Sequence, residues 1–280
     1  MEILFTYYPS NRLTIRVLIL LLLFPVSCTH AQLRPPIFID TRDSSRSVET
    51  IDTRPGVQQS FLHIQPTNQL AKTLLFFPGG NGYGQFQIRE NSIQTSGNFL
   101  VRTLGLWNGK YRLVVIDTPS DNAYGMSDSF RNSVKHREDI LKVIDVLSNR
   151  GTTEFYLIGT SRGTISAAAI ASSGDPRIRG LILTSTHTSR LDLAGMSQLK
   201  IPVLFVSHRD DSCRFTTSSQ SHELQQKIGA YNRADYAEIT GGTNGIDVCG
   251  PFSHHGFLGA EKDAIAVMID WIESLSKKER

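Results

Sequence analysis

Gly159, Ser161 and Gly163 form a Gly-x-Ser-x-Gly pattern between an apolar run at 155–158 and a run of small and apolar residues at 164–171. These runs predict a strand and a helix joined by a turn so tight that it strains the serine backbone, and the flanking glycines remove Cβ atoms that would clash there. The serine hydroxyl would then stand at a helix N-terminus, where a backbone N–H can stabilise an oxyanion. The pattern also occurs in ordinary loops, but with these flanking elements it predicts acyl transfer through Ser161.

From residue 73 onward, short continuous apolar runs alternate with longer stretches of helical spacing. Continuous apolar runs are typical of strands buried on both faces of a parallel sheet. The predicted strands span 73–77, 111–116, 155–158, 180–183, 203–206 and 236–239, and the predicted helices lie near 86–104, 133–149, 162–173, 216–229 and 260–275. This alternation indicates an α/β fold with a mostly parallel central sheet flanked by helices. Alternating apolar and polar positions within residues 32–70 predict one or two peripheral antiparallel strands.

The composition indicates one globular domain. The chain has 280 residues, of which 40% are hydrophobic and 20% are charged, and this balance excludes a disordered protein. The formal net charge of +3 is spread along the sequence rather than concentrated in runs. The charge therefore gives no indication of a nucleic-acid partner.

The N-terminus has the features of a secretory signal. Arg12 and Arg16 precede an apolar run at 17–26, which is followed by small residues. A bilayer-spanning helix needs about 20 apolar residues, so this run is too short and no stable membrane span is expected. We predict a signal peptide over residues 1–31, a mature domain over 32–280, and export to the periplasm or the extracellular space.

Three cysteines are present, and the one in the leader allows a second interpretation of the N-terminus. The tripeptide that ends at Cys28 resembles a bacterial lipoprotein site, although Pro25 sits where such sites usually carry leucine. Removal or lipidation of Cys28 leaves Cys213 and Cys249, which predict a single disulfide in an oxidising compartment. Two unpaired buried thiols are the alternative if the protein stays in the cytosol.

The order of the elements and the Gly-x-Ser-x-Gly turn resemble the α/β-hydrolase superfamily over roughly residues 60–275. The similarity is greatest to compact secreted or periplasmic bacterial members of the dienelactone hydrolase and esterase branches. Members with bulky lids usually insert them after the strand that follows the nucleophile strand, here between Leu183 and Val203. Only about twenty residues separate these positions, too few for a lid domain. The resemblance therefore implies a hydrolase without a lid.

A serine nucleophile needs an imidazole to accept its proton, and the chain offers eight histidines. The superfamily carries its base in the loop before the C-terminal helix, which here contains residues 253–257. The His-Gly-Phe ending of this loop resembles the family's own and assigns the base to His255. His254 is the alternative, and since adjacent side chains point in different directions, only one of the two can serve.

The base needs a carboxylate on its far nitrogen, which fixes the tautomer and stabilises the imidazolium. The predicted strand 203–206 is followed by Ser-His-Arg-Asp-Asp at 207–211. The superfamily's His-x-x-Asp pattern after this strand assigns the acid to Asp211, with Asp210 as the alternative. The remaining aspartate would cap the next helix or pair with Arg209.

The backbone N–H of Arg162, next to the nucleophile, is the first candidate oxyanion donor, and we expect its side chain to pair with a nearby acid. The resemblance places the second donor in the loop after the family's third strand, where the chain reads Pro-Gly-Gly-Asn-Gly at 78–82. Many members have His-Gly where this chain has Pro-Gly, which leaves the donor open between Gly80 and Asn81. A nucleotide-binding loop is excluded because no phosphate-binding glycine pattern aligns there.

The resemblance implies an exported, carboxylesterase-like serine hydrolase that cleaves an ester-like acyl bond of a small molecule through an acyl-enzyme. Peptidase, thioesterase and dienelactone-type activities on the same triad remain alternatives, because a fold does not define its chemistry. A binding protein without turnover is a further alternative, against which the complete Ser-Asp-His set argues. Serine hydrolysis needs no cofactor, and the sequence carries no His-Glu-x-x-His or paired Cys-x-x-Cys motif that would indicate a metal site.

Overall fold

A computed structural model describes most of the chain from residue 37 to residue 277. The described ranges are 37–40, 44–66, 72–84, 86–90, 92–107 and 109–277. The predicted signal peptide over 1–31 and the lipidation candidate Cys28 lie outside these ranges. Within them, no helix is both long enough and apolar enough to cross a membrane.

Strands and helices alternate along the described residues. The strands are β1 (Ile37–Asp40), β2 (Ser44–Arg54), β3 (Val57–Pro66), β4 (Lys72–Phe77), β5 (Gln87–Ile88), β6 (Ser92–Thr95), β7 (Arg112–Pro119), β8 (Glu154–Thr160), β9 (Ile178–Thr184), β10 (Val203–His208) and β11 (Ala234–Ile239). The α-helices are α1 (Phe99–Arg102), α2 (Asp128–Arg131), α3 (Val134–Asn149), α4 (Gly163–Ala171), α5 (Leu193–Ser197), α6 (Ser218–Gly229) and α7 (Glu261–Lys277). Short 3₁₀ helices span Leu104–Trp107, Ser120–Asn122, Thr188–Arg190 and His254–Gly256.

Eight of these strands form the central sheet, in the order β11-β10-β9-β8-β4-β7-β3-β2. Neighbours from β11 to β7 run parallel, whereas β3 and β2 are added antiparallel at one edge. The predicted mostly parallel α/β sheet with peripheral antiparallel strands is therefore confirmed. Strands β1, β6 and β5 form a second, antiparallel sheet.

The core lies on both faces of the central sheet, because side chains alternate between the faces along each strand. Leu74 and Phe76 of β4 pack in a cluster with side chains of α1 and α7. Leu75 and Phe77 of the same strand pack on the opposite face with α3, α4 and α6. Burial on both faces is the physical reason why the central strands have continuous apolar sequences.

The strand order creates a crevice between β4 and β8. The chain leaves β4 towards β7 on one side, whereas it leaves the adjacent β8 towards β9 on the other. Loops that diverge in this way leave space above the carboxyl ends of the two strands, where ligands bind in open α/β sheets. The Gly-x-Ser-x-Gly turn and the loop at 78–82 both open onto this crevice.

The predicted helix near 86–104 is wrong over most of its length. Residues 87–88 and 92–95 form β5 and β6, and the helix is confined to Phe99–Arg102, with Asn98 as its cap. In β6 buried positions alternate with half-buried ones, which is a strand period that the sequence interpretation missed. The other four predicted helices match α3, α4, α6 and α7 to within a few residues.

The predicted disulfide joins Cys213 to Cys249 across 36 residues. Cys213 follows β10, and Cys249 precedes the 3₁₀ helix that contains His255. The bridge therefore connects the loop after β10 with the loop before α7.

We expect the double variant Cys213→Ser, Cys249→Ser to lose about 2 to 4 kcal/mol of unfolding free energy, because the bridge restricts the unfolded chain. Urea denaturation of the oxidised protein and the variant measures this difference. Identical midpoints, together with an intact mass that reduction and alkylation of the denatured protein leave unchanged, would contradict the bridge.

Candidate active site

Ser161 sits in a strained turn between β8 and α4. Its backbone φ is 52°, in the left-handed region that non-glycine residues rarely occupy. Hydrogen bonds on both sides hold this conformation: the Ser161 N–H donates to the Thr184 carbonyl at 3.0 Å, and the Thr164 hydroxyl donates to the Ser161 carbonyl at 2.6 Å. The predicted strand, turn and helix are present, and the serine hydroxyl stands at the beginning of α4.

The second glycine of the pattern is required by close packing. A Cβ atom on Gly163 would lie 1.9 Å from the carbonyl oxygen of Phe77, at the end of the neighbouring strand β4. The first turn of α4 therefore packs directly against the backbone of β4. This contact fixes the distance between the serine turn and the loop that follows β4.

His255 lies in the 3₁₀ helix His254–Gly256 and is buried. Its backbone N–H donates to Ser253 Oγ at 3.2 Å, and its carbonyl accepts a hydrogen bond from Ser185 Oγ at 2.6 Å. Ser185 directly follows β9, so the central sheet itself holds the histidine backbone.

Asp211 and Thr216 surround Nδ1 of His255. This nitrogen lies 3.1 Å from Asp211 Oδ2 and 2.9 Å from Thr216 Oγ1. The single proton of the Thr216 hydroxyl is donated to Asp211 Oδ2 at 2.9 Å, so Oγ1 can only accept from His255. A carboxylate also only accepts, and therefore Nδ1 carries a proton. The lone pair of the neutral imidazole is then on Nε2, as a general base requires.

The Asp211 carboxylate is fully engaged inside the protein. Its second oxygen, Oδ1, accepts the backbone N–H of Cys213 at 2.9 Å, and the residue is only 5% exposed. Since Cys213 is bonded to Cys249, the disulfide helps to anchor the carboxylate.

The alternative residues occupy other environments. Asp210 is half-exposed and lies 3.5 Å from the Arg209 guanidinium. His254 stacks on His208 with ring centroids 4.3 Å apart. The structure thus brings His255 together with Asp211, and among the described residues neither alternative has a side-chain hydrogen bond to this pair.

His208, Asp210 and His254 are the described residues whose ligand atoms could gather around a metal ion, with those atoms within 4.8 Å of one another. Both ring nitrogens of His208 are already used: Nε2 bonds to the Gly241 carbonyl at 2.8 Å, and Nδ1 accepts the Asp210 N–H at 3.1 Å. Burial lowers the pKa of His208. A metal ion would have to displace one of these bonds.

A cavity of about 310 Å³ contains Ser161 and His255, together with the loop after β4. Neither Ser161 Oγ nor His255 Nε2 is hydrogen-bonded to any residue that the structure describes, which leaves both atoms available to a ligand. A larger cavity of about 750 Å³ lies at the amino ends of β9 and β10 and contains none of the predicted site residues.

The candidate oxyanion donors lie at the cavity that contains Ser161. Gly80 and Asn81 line it, and Arg162 directly follows Ser161. The backbone N–H groups of Gly80, Asn81 and Arg162 donate to no other residue in the described ranges. The Arg162 side chain pairs with Asp128, with Nε 2.7 Å from the carboxylate, and its Nη1 donates to the Gly80 carbonyl at 3.2 Å. The loop at 78–82 approaches the serine closely, since a Cβ on Gly79 would lie 3.0 Å from Ser161 Cβ.

Thr216 was missed by the sequence interpretation, and no pattern in a single sequence marks it. It lies two residues before the start of α6 and directly precedes Thr217, which caps that helix. Its importance comes only from the fold, which brings it to His255 across 39 residues of sequence.

Comparison with known proteins identifies the fold. No protein-family model and no curated protein matches the chain. A serine hydrolase homologue from Coxiella burnetii is 17% identical with a TM-score of 0.58, and covers 80% of this chain and 96% of its own. A lid-less serine hydrolase from Xanthomonas campestris is 14% identical with a TM-score of 0.55, covering 80% and 95%. A cold-adapted esterase from an Arctic intertidal metagenomic library is 15% identical with a TM-score of 0.53, covering 71% and 86%.

These similarities show that the chain has the α/β-hydrolase fold that the sequence resemblance implied. Between β9 and β10 the chain forms only the 3₁₀ helix Thr188–Arg190 and the five-residue helix α5. The expectation that no lid domain is inserted at this point is therefore confirmed.

We expect Gly163→Ala to destabilise the protein by more than about 3 kcal/mol, because the new methyl group would overlap the β4 backbone. Gly229→Ala is the matched control: its Cβ would meet no atom closer than 3.7 Å, and we expect a change below about 1 kcal/mol. Thermal and urea denaturation measure both. Equal stability of the two variants would contradict the close packing of α4 on β4.

Proposed function

We propose that the chain is an exported serine hydrolase that cleaves a carboxylic ester-like acyl bond, with Ser161 as nucleophile, His255 as base and Asp211 as its orienting acid. The observation that carries this proposal is the pair of hydrogen-bond partners, Asp211 and Thr216, at Nδ1 of His255. Asp211 and Thr216 hold the proton on Nδ1 and leave Nε2 free in the cavity that also contains Ser161. The fold supports a hydrolase but does not by itself define the substrate.

In the proposed reaction, Ser161 Oγ attacks the substrate carbonyl carbon while His255 Nε2 accepts the hydroxyl proton. The carbonyl π electrons move to oxygen, and the backbone N–H of Arg162 and of the Gly80–Asn81 region stabilise the resulting oxyanion. Collapse of this intermediate breaks the bond to the alkoxide, which takes the proton from His255. Water then attacks the acyl-enzyme with His255 again as base, releasing the acid and restoring Ser161.

The size of the cavity favours a small acyl group. Its volume of about 310 Å³ is at the lower end of ligand sites in proteins. We therefore propose short-chain esters as the substrate class, ahead of peptides, thioesters or lactones.

Export is supported by two independent features. The leader over residues 1–31 has the composition of a signal peptide, and a Cys213–Cys249 disulfide persists in oxidising compartments. We propose a periplasmic or extracellular enzyme.

An activity-based fluorophosphonate should label the protein, and Ser161→Ala should abolish both the labelling and the hydrolysis of short p-nitrophenyl esters, since the attacking oxygen is gone. Ser172→Ala, at the other end of α4, serves as the matched control and should be labelled normally. Equal labelling of the wild type and the Ser161→Ala variant would contradict the proposal. Faster turnover of a peptide panel than of the esters would replace the esterase assignment by a peptidase.

Thr216→Val should lower kcat by about tenfold, because the variant loses the hydroxyl that donates to Asp211 and accepts from His255. Thr216→Ser keeps the hydroxyl and should retain most of the activity. Steady-state kinetics on a short p-nitrophenyl ester compares the two variants. Unchanged kcat in Thr216→Val would exclude the threonine from the support of the imidazole.

A further inference from the structure

Arg131, the last residue of α2, is completely buried without a carboxylate partner among the described residues. Its Nη1 donates to Ser166 Oγ at 3.0 Å, its Nη2 donates to the Gly80 carbonyl at 3.1 Å, and its Nε has no described partner. Burial of a charge is costly unless the charge is paired. A guanidinium kept under these conditions calls for a functional explanation.

The positive charge of Arg131 persists at neutral pH. Burial and the neighbouring Arg162 lower the pKa of Arg131 to about 9, so it remains a cation. Burial and Arg131 together lower the pKa of His136 to about 3, so this neighbour is neutral. The nearby carboxylate of Asp128 is already engaged by Arg162 at 2.7 Å and approached by Arg190 at 3.7 Å.

The Gly80 carbonyl is held by two guanidinium groups, since Arg162 Nη1 also donates to it at 3.2 Å. The peptide bond between Gly80 and Asn81 is trans, and in a trans peptide the N–H points opposite to the carbonyl. The Asn81 N–H is therefore directed away from the two arginines. Asn81 itself is held by the Met126 N–H, which donates to its carbonyl at 3.0 Å.

We propose that Arg131 is a positioning residue of the oxyanion hole: it fixes the Gly80–Asn81 peptide so that the Asn81 N–H meets the substrate oxyanion. This inference rests on the proposed function. It selects Asn81 over Gly80, the two donors that the sequence left open. The positive charge of Arg131 at the Gly80 carbonyl also polarises the Gly80–Asn81 peptide, which favours negative charge next to the Asn81 N–H. Such preorganised dipoles act most strongly where water is excluded.

Arg131 contributes more to this arrangement than Arg162 does. The Arg162 side chain is partly exposed, and Asp128 neutralises it. Arg131 is enclosed, and its two hydrogen bonds go to uncharged oxygens. No direct ion pair among the described residues therefore neutralises the positive charge of Arg131.

The test compares Arg131→Met, Arg131→Lys and the control Ser172→Ala, whose hydroxyl bonds to the Ala168 carbonyl at the far end of α4. The measurements are kcat and KM for a short p-nitrophenyl ester, the inhibition constant of a trifluoromethyl ketone, and the melting temperature. The ketone forms a tetrahedral adduct with an oxyanion, so its affinity reports on the hole.

We expect Arg131→Met to lower kcat by about 10- to 100-fold and to change KM by less than about twofold. The inhibition constant of the ketone should rise by about the same factor as kcat falls. Arg131→Lys should recover part of both losses, and Ser172→Ala should stay within about twofold of the wild type. If Arg131 had a purely structural role, its substitution would lower the melting temperature without lowering kcat selectively over KM.

Wild-type kcat and ketone affinity in folded Arg131→Met would overturn the inference. If Arg131→Met does not fold, the lysine variant decides: parallel losses in kcat and ketone affinity support the role, and wild-type values overturn it. A wild-type protein that neither hydrolyses esters nor reacts with fluorophosphonate would instead refute the proposed function.

Discussion

The placement of one proton on His255 is the constraint on which the site depends. In the reaction that we propose, Nδ1 keeps its proton so that Nε2 can accept another from Ser161, and the two oxygen atoms within 3.1 Å of Nδ1 favour this state. Both oxygens come from the loop between β10 and α6, whereas the histidine precedes α7. The disulfide and the hydrogen bond from Ser185 to the His255 carbonyl hold these separate segments together.

The sheet supplies the second half of the arrangement. Strands β4 and β8 are adjacent, yet the chain leaves them in opposite directions, so the loop at 78–82 and the serine turn meet above a common crevice. Gly163 allows the helix to start against β4, and Arg131 supports the loop from behind. The same few contacts thus fix Ser161, the proposed nucleophile, and the backbone N–H groups that we propose stabilise the oxyanion.

Much of the fold could be predicted, because buried parallel strands require continuous apolar runs and the serine turn requires glycine. Asp211 and His255 were assigned from the resemblance to the superfamily's motifs at the corresponding places after these strands. The prediction of a helix near 86–104 was wrong because β6 shows its strand period over only four residues. In addition, β6 pairs with β1, which lies more than 50 residues away in the sequence. Thr216 and Arg131 could not be found in this way, since their partners lie 39 and 51 residues away in the sequence.

The most direct test of this account is to trap the covalent intermediate. The enzyme would be mixed with a slowly deacylating ester, quenched in acid within the first turnover, and digested for mass spectrometry. The expected result is one acyl group on the peptide that contains Ser161. Measurable turnover with no acyl adduct, or with the adduct on another residue, would contradict it.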